Sequence, residues 1–273
     1  MINKMSLVAV IQMVSTADLS KNLESAERLI KESSEQGAKL VLLPENFALF
    51  ESTGLYPMAV REAQSADNLL TLLASWSEKY DIWLLAGSLP SLVEGSQRVR
   101  SSLFVFSPSG EMVARYDKRH LFDVQVTDAH GSYQESSFIE PGDQLVVVDT
   151  DVGRVGLSIC YDLRFSDHFW QLRRMGAEII VVPSAFTKMT GDAHWEVLLR
   201  ARAIETQCYI LGANQGGQHN ATRLTSGHSM IVDPWGVVTA RCEMGEAVVV
   251  SHFERELLER IRAKMPVLQQ ARG

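Results

Sequence analysis

The sequence predicts an α/β protein, and three features of its 273 residues carry that reading. Short apolar runs rich in Val, Ile and Leu alternate along the whole chain with segments whose apolar residues recur at helical spacing. Gly, Pro and Asp punctuate the seams between them, as turns require. The composition, 46% hydrophobic and 22% charged, suits a soluble chain able to bury a sizeable core. Strand and helix alternating throughout is the pattern of helices covering sheets, not of an all-α or all-β protein. No linker, repeat or low-complexity tract interrupts it, so residues 1–273 are expected to form one domain.

Residues 7–13 read as a buried strand because the run is almost wholly apolar. Leu23, Ala26, Leu29 and Ile30 then recur at helical spacing over 22–37, with Gly37 as the stop. A second buried strand follows at 40–43. Asp67 is placed to cap a helix reaching about residue 80, with Leu69, Leu70, Leu72, Leu73 and Trp76 as its apolar face. After a strand at 83–87, runs at 102–106 and 112–116 flank Ser107-Pro108-Ser109-Gly110, a turn sequence, and read as a hairpin.

Residues 122–142 read as a loop, longer than most connections in compact domains, and such loops commonly carry function. Strands at 145–149 and 155–159 enclose the turn Asp151-Val152-Gly153. Next come a helix ending near Gly176, a strand at 179–182 and a long helix over 193–207. Strands near 229–232, 237–241 and 247–251 follow, and a final helix from about 254 to 264 stops before Pro266.

A net charge of −7 with scattered basic residues offers no electrostatic footprint for nucleic acid or anionic lipid, so neither is expected as a partner. The apolar stretch at 7–11 ends at Gln12, too short for a spanning helix or a secretory leader, and the protein reads as cytoplasmic. Cys160, Cys208 and Cys242 are far apart and odd in number, which argues against a disulfide framework. No metal is expected, because Cys160 has no His at ligand spacing and there is no CxxC pair.

Glu45, Lys118 and Cys160 each follow an apolar run, at the kind of strand end where layered α/β proteins gather reactive groups. Singly, each has a plain explanation. Cys160 could be a small buried apolar group, Glu45 the solvated start of a loop, and Lys118 half of a surface pair with Arg119. Together they sit in segments that match a known pattern. Leu42-Leu43-Pro44-Glu45-Asn46, Tyr116-Asp117-Lys118-Arg119-His120-Leu121-Phe122 and Gly156-Leu157-Ser158-Ile159-Cys160-Tyr161-Asp162-Leu163-Arg164-Phe165 resemble, in order, the three signature regions of the nitrilase (carbon-nitrogen hydrolase) superfamily. The stretches from Gly191 to Glu205 and from Gly227 to Gly236 resemble its amidase branch acting on deaminated glutathione.

The resemblance implies a four-layer α-β-β-α sandwich, at least a homodimer paired through helices, and no cofactor. It implies that Cys160 is the nucleophile, Glu45 the general base and Lys118 the oxyanion stabiliser together with the Tyr161 backbone N–H. Glu135 resembles a second active-site glutamate, and its plain alternative is a solvated loop carboxylate. Chemically, a thiol with an ordinary pKa of about 8.5 needs a base or a positive environment to attack at neutral pH, and Glu45 and Lys118 are one of each. Arg164 is a candidate for binding a substrate carboxylate or for anchoring the next helix, and Thr187 for lining the pocket. Arg200 and Arg202 are expected to pair with Glu196 and Glu205, and His194 and His228 to be structural.

The expected substrate is a small amide bearing carboxylates, by resemblance deaminated glutathione, cleaved to 2-oxoglutarate and cysteinylglycine. An ω-amidase acting on 2-oxoglutaramate is the nearest alternative. A binding scaffold that kept the fold and lost turnover is the alternative of another class.

Overall fold

The alternation of side chains along the first strand, β1 (Met5–Gln12), sets the architecture. Val8 and Val10 point into one buried cluster, Ala9 and Ile11 into another. A strand buried on both faces must be covered on both, which places it in the middle of a layered fold. The structure, a computed structural model, describes residues 5–125 and 131–272.

After β1 come α1 (Leu19–Glu35), β2 (Leu40–Leu42), α2 (Leu55–Gln64), α3 (Leu69–Lys79), β3 (Trp83–Leu92), β4 (Val99–Phe106) and β5 (Met112–Asp117). The short strands β6 (Asp123–Gln125) and β7 (Ser132–Gln134) precede β8 (Val147–Asp149), β9 (Arg154–Leu157), α4 (Ser166–Arg174), β10 (Ile179–Ser184) and α5 (Lys188–Thr206). The chain continues through β11 (Tyr209–Asn214), β12 (Met230–Val232), β13 (Val238–Arg241), β14 (Ala247–Glu254), α6 (Arg255–Lys264) and α7 (Val267–Gln270).

The strands form two six-stranded sheets, ordered β14-β1-β2-β3-β4-β5 and β13-β12-β11-β10-β9-β8, plus the β6-β7 ribbon. In each sheet the three central strands run parallel (β1, β2, β3 and β9, β10, β11), with antiparallel strands outside them. Ala9, Ile11, Val41, Leu84, Ala86 and Phe104 pack with α1 and α3. The opposite parity, Val8, Val10, Leu40, Leu42, Leu85 and Leu103, joins residues of the second sheet, α4 and α5 in one core. The layers therefore run helices, sheet, sheet, helices, the four-layer sandwich that the resemblance implied. Gly87 is required where the sheets approach: a Cβ there would lie 2.1 Å from the Leu43 carbonyl oxygen and 2.5 Å from Pro183 Cβ.

Several boundaries differ from the sequence expectation. The N-cap of α3 is Asn68, whose side chain accepts the Thr71 N–H at 3.0 Å, and not Asp67. Leu69 is the first helical residue, so only the side chain just before it can reach that N–H. Helix α2 has no counterpart in the sequence expectation, although Leu55, Met58 and Ala59 bury one face of it. Its Pro57 lies in the first turn, where the missing N–H has no intrahelical acceptor to lose. Helix α5 starts at Lys188, earlier than expected, because Thr187 caps it and accepts the Thr190 N–H at 3.3 Å. Strand β3 runs past Gly87 to Leu92 through a register shift. Of the expected loop at 122–142, residues 126–130 lie outside the described residues, and the remainder includes β6, β7 and a 3-10 turn, Glu135–Ser137.

Candidate active site

Strand ends bring the predicted residues together. Glu45 follows β2, Lys118 follows β5 and Cys160 follows β9, and all three are buried. The Gln215 side-chain N–H donates to the Glu45 carbonyl at 3.1 Å and anchors that turn from the second sheet. Lys118 is tied at both ends of its peptide: its N–H donates to Ser101 O at 2.9 Å, and its carbonyl accepts from Gly142 N at 2.8 Å. Cys160 opens a 3-10 turn (Cys160–Arg164) at φ +45°, a left-handed conformation that a side chain adopts only under constraint. Strand, sharp turn and helical turn together raise a nucleophile at the rim of a sheet.

The Lys118 ammonium lies 2.8 Å from Glu45 Oε1 and 2.8 and 2.9 Å from the two oxygens of Glu135. Glu135 is thus drawn in from its loop by a cation, and its Oε2 also accepts the Phe122 N–H at 2.7 Å. The plain readings of Glu45 and Glu135 as solvated loop carboxylates, and of Lys118 as a surface residue, do not hold. Burial alone would lower the Lys118 pKa, but the Glu135 and Glu45 charges outweigh it and hold the amine protonated well above its usual range. Burial pushes the Glu135 carboxyl up; Lys118 opposes this and the Glu45 charge adds to it, leaving the carboxyl above the ordinary carboxylate range. Burial, then the Glu45 charge, push the Cys160 thiol far above the ordinary thiol range against the pull of Lys118. Both causes favour the protonated form of the Cys160 thiol.

Behind the turn, Asp162 is fully buried and takes hydrogen bonds from several sides. Its Oδ2 accepts the Ile159 N–H at 2.8 Å and the Tyr116 hydroxyl at 2.6 Å. Its Oδ1 accepts the His120 N–H at 3.0 Å and lies 2.6 Å from His120 Nδ1. Burial would raise this carboxyl, yet the His120 hydrogen bond, the His168 charge and the Tyr116 and Ile159 donors hold it below its usual range. One carboxylate so ties the residue before Cys160 to the residues on either side of Lys118. Among the described residues, His120, Asp162 and His168 also place ligand-type atoms within 4.8 Å of one another. The hydrogen bonds already account for that approach.

A cleft of about 270 Å³ opens over these groups, lined by Glu45, Lys118, Glu135, Cys160, Tyr161, Arg164 and Thr187 among others. The geometry therefore gathers every predicted site residue at one place. Arg164 lies over the Tyr161 and Phe186 rings, 5.7 and 5.4 Å from their centroids, with a nitrogen 3.3 Å from His194 Nδ1. Thr187 lines the cleft, and its side chain serves as the α5 cap. As expected, Arg200 pairs with Glu196 and Arg202 with Glu205 along α5.

The carbon-nitrogen hydrolase family model matches residues 7–263. The chain belongs to this family. Among its relatives, a deaminated glutathione amidase of Yersinia enterocolitica is 44% identical over 266 residues, covering 97% of this chain and 92% of the relative. One from Mus musculus is 39% identical over 273 residues, covering 98% and 84%. The NitFhit protein of C. elegans superposes with a TM-score of 0.92 at 36% identity over all of this chain and 66% of that one. Saccharomyces cerevisiae Nit3 superposes at 0.88 with 28% identity, over all of this chain and 98% of that one. Membership of the carbon-nitrogen hydrolase family makes the chain an enzyme that hydrolyses amide carbon–nitrogen bonds.

A thiol, a buried carboxylate and a fixed cation lining one cleft are groups that acyl transfer can use. Sequence reasoning missed Asp162, Gln215 and Arg223. Asp162 lies two residues after Cys160, and a carboxylate so placed behind an apolar strand was a usable signal. Arg223 lines the cleft from the loop between β11 and β12 and carried no local signal.

Proposed function

We propose that this hydrolase cleaves deaminated glutathione to 2-oxoglutarate and cysteinylglycine through a thioester on Cys160. The observation that carries the reading is the Glu45–Lys118–Glu135 group in the cleft that Cys160 also lines. The names of relatives at 44% and 39% identity support the substrate. Glu45 takes the thiol proton as sulfur attacks the amide carbonyl carbon. Lys118 and the Tyr161 N–H stabilise the negative oxygen, a contribution of roughly 2.7–4 kcal/mol for one well-placed donor. Glu45 then delivers the proton to the leaving nitrogen, the C–N bond breaks and the thioester remains. Water, giving its proton to Glu45, attacks the thioester and returns the thiol. Glu135 keeps the ammonium oriented, Arg164 faces a substrate carboxylate, and Thr187 shapes the wall.

A surface of Val197 and Ile204 on α5 with Trp235 and Val237 beside it is 49–67% exposed and supports pairing of two copies, to be read by analytical ultracentrifugation. Three free thiols suit the reducing cytoplasm. Among the described residues, no helix is long and apolar enough to cross a membrane.

The test incubates wild type and Cys160→Ala with deaminated glutathione and, separately, 2-oxoglutaramate, following products by mass spectrometry. Cleavage of the first in preference, lost in the variant, is the expected result. Preference for the second moves the protein to ω-amidase chemistry, and no turnover of either favours a scaffold.

A further inference from the structure

Arg223 is a guanidinium built into the cleft wall with no use in the chemistry above. Its central carbon lies over the Tyr133 and Phe50 rings, 4.6 and 5.6 Å from their centroids, so it rests against two aromatic side chains. One of its nitrogens donates to Ala185 O at 3.3 Å, and Ala185 lines the same cleft as Cys160. Phe50 is itself fixed by stacking on His219 at 3.8 Å between ring centroids.

The loop is braced from within. Asn220 Oδ1 accepts the N–H groups of Thr222 and Arg223 at 3.0 and 2.9 Å, and the Arg223 carbonyl accepts from His219 N at 3.0 Å. His219 in turn bonds Ser15 O and Thr225 Oγ1. A long side chain held this firmly loses little freedom when it binds a ligand.

The charge environment gives it a purpose. Arg98, Arg100, Arg115, Arg202 and Arg255 each pair with a carboxylate, and Lys118 is held between two. Arg223 has no carboxylate partner among the described residues, although it faces the cleft. A planar fork of N–H donors aimed into a partly apolar cleft selects a carboxylate over a neutral group.

Resting on the proposed amide hydrolysis, we propose that Arg223 binds the terminal carboxylate of the leaving amine, so that the site prefers amides whose departing half ends in a peptide carboxyl group. Arg164 then serves the acyl half. An amide with an unsubstituted nitrogen has nothing to offer Arg223, which makes this residue a determinant of peptide-like over simple primary amides.

The test compares two ligands differing in one group: deaminated glutathione and its analogue with a C-terminal carboxamide. Titration calorimetry on Cys160→Ala should show the acid binding about tenfold to hundredfold tighter than the carboxamide, the range for a hydrogen-bonded charge. In Cys160→Ala/Arg223→Gln the ratio should fall to near one, and Arg223→Lys should leave an intermediate ratio. The same ratio with and without Arg223, equal affinity of both ligands for the Arg223 protein, or no binding of the acid would each overturn the assignment. In parallel, the chain with Cys160 intact is assayed for cleavage. If it cleaves the acid while the ratio ignores Arg223, only this inference fails; if it binds the acid Arg223-dependently without cleaving it, the proposed reaction fails instead.

Discussion

Methionine at position 118 would keep most of the lysine stem's volume while withdrawing the ammonium that sits 2.8 Å from both Glu45 and Glu135. Two buried carboxylates would then face each other with no cation between them. Removing one partner of a buried ion pair costs about 3–5 kcal/mol, because the other is left desolvated and uncompensated. The Glu135 carboxyl, already raised by burial, would move further up without Lys118 to oppose the shift. A carboxyl whose folded pKa lies above its unfolded value of about 4.3 leaves stability intact below that value and removes it as pH rises toward the folded one.

Urea unfolding of Lys118→Met should therefore show a deficit of about 3–5 kcal/mol at pH 7.5 that narrows toward pH 5. Adding Glu135→Gln removes one of the stranded charges and should recover roughly half of the deficit. Hydrolysis should stay down by about a hundredfold to a thousandfold in both variants, since an amide side chain at 135 supplies nothing at the oxyanion. Stability of Lys118→Met within about 1 kcal/mol of wild type at pH 7.5 would refute the buried-pair argument. Recovery of turnover together with stability would refute the oxyanion role.

Other outcomes follow from single contacts. Asp162→Asn replaces one acceptor oxygen with an NH2 donor that opposes the N–H and O–H donors around it; kcat should fall at least tenfold with KM changed much less, and the urea midpoint should drop by the equivalent of about 1–3 kcal/mol. A proportional loss in kcat and gain in KM would instead place Asp162 at the substrate. His219 is buried, and that desolvation lowers its pKa to about 4 from 6.5. A histidine depressed in this way stabilises above its unfolded pKa and loses that contribution as pH falls toward 4, about 2 kcal/mol between pH 7.5 and 5. His219→Gln should flatten that part of the pH–stability curve, and an unchanged curve would show that the ring is not the acid-sensitive group. Thr187→Val removes the α5 cap and should lower stability by about 1 kcal/mol without a selective change in KM, whereas a KM effect with unchanged melting would mark the hydroxyl as a substrate contact. Gly191→Ala puts a Cβ 1.9 Å from Ser226 Oγ, and a melting temperature no lower than wild type would mean that the loop yields freely.

The catalytic candidates were legible because each follows a strand, and a buried strand announces itself in its own residues. Leu40–Leu42 and Arg154–Leu157 are bounded by local periodicity and turn chemistry, so the reactive side chains just past them could be named. Glu135 was harder. It belongs to a stretch without periodicity, and contacts with the buried Lys118 ammonium and the Phe122 N–H hold it at the site. The α3 cap was misplaced by one residue and the start predicted for α5 was late by more than a turn, both arising where neighbouring polar residues compete to cap.

By itself the sequence determined the α/β alternation, the order of the main strands and most of the helices, and the chemical types available at three strand ends, since those depend on residues adjacent in the chain. Tertiary structure alone decided which of those groups meet and in what charge state. Gln215 holds the Glu45 turn across 170 residues, Asp162 bonds residues on either side of Lys118, and Arg223 is left without a carboxylate among the described residues while Lys118 is held between two. Burial and proximity set a pKa, and neither is a property of a segment until the sheets have packed.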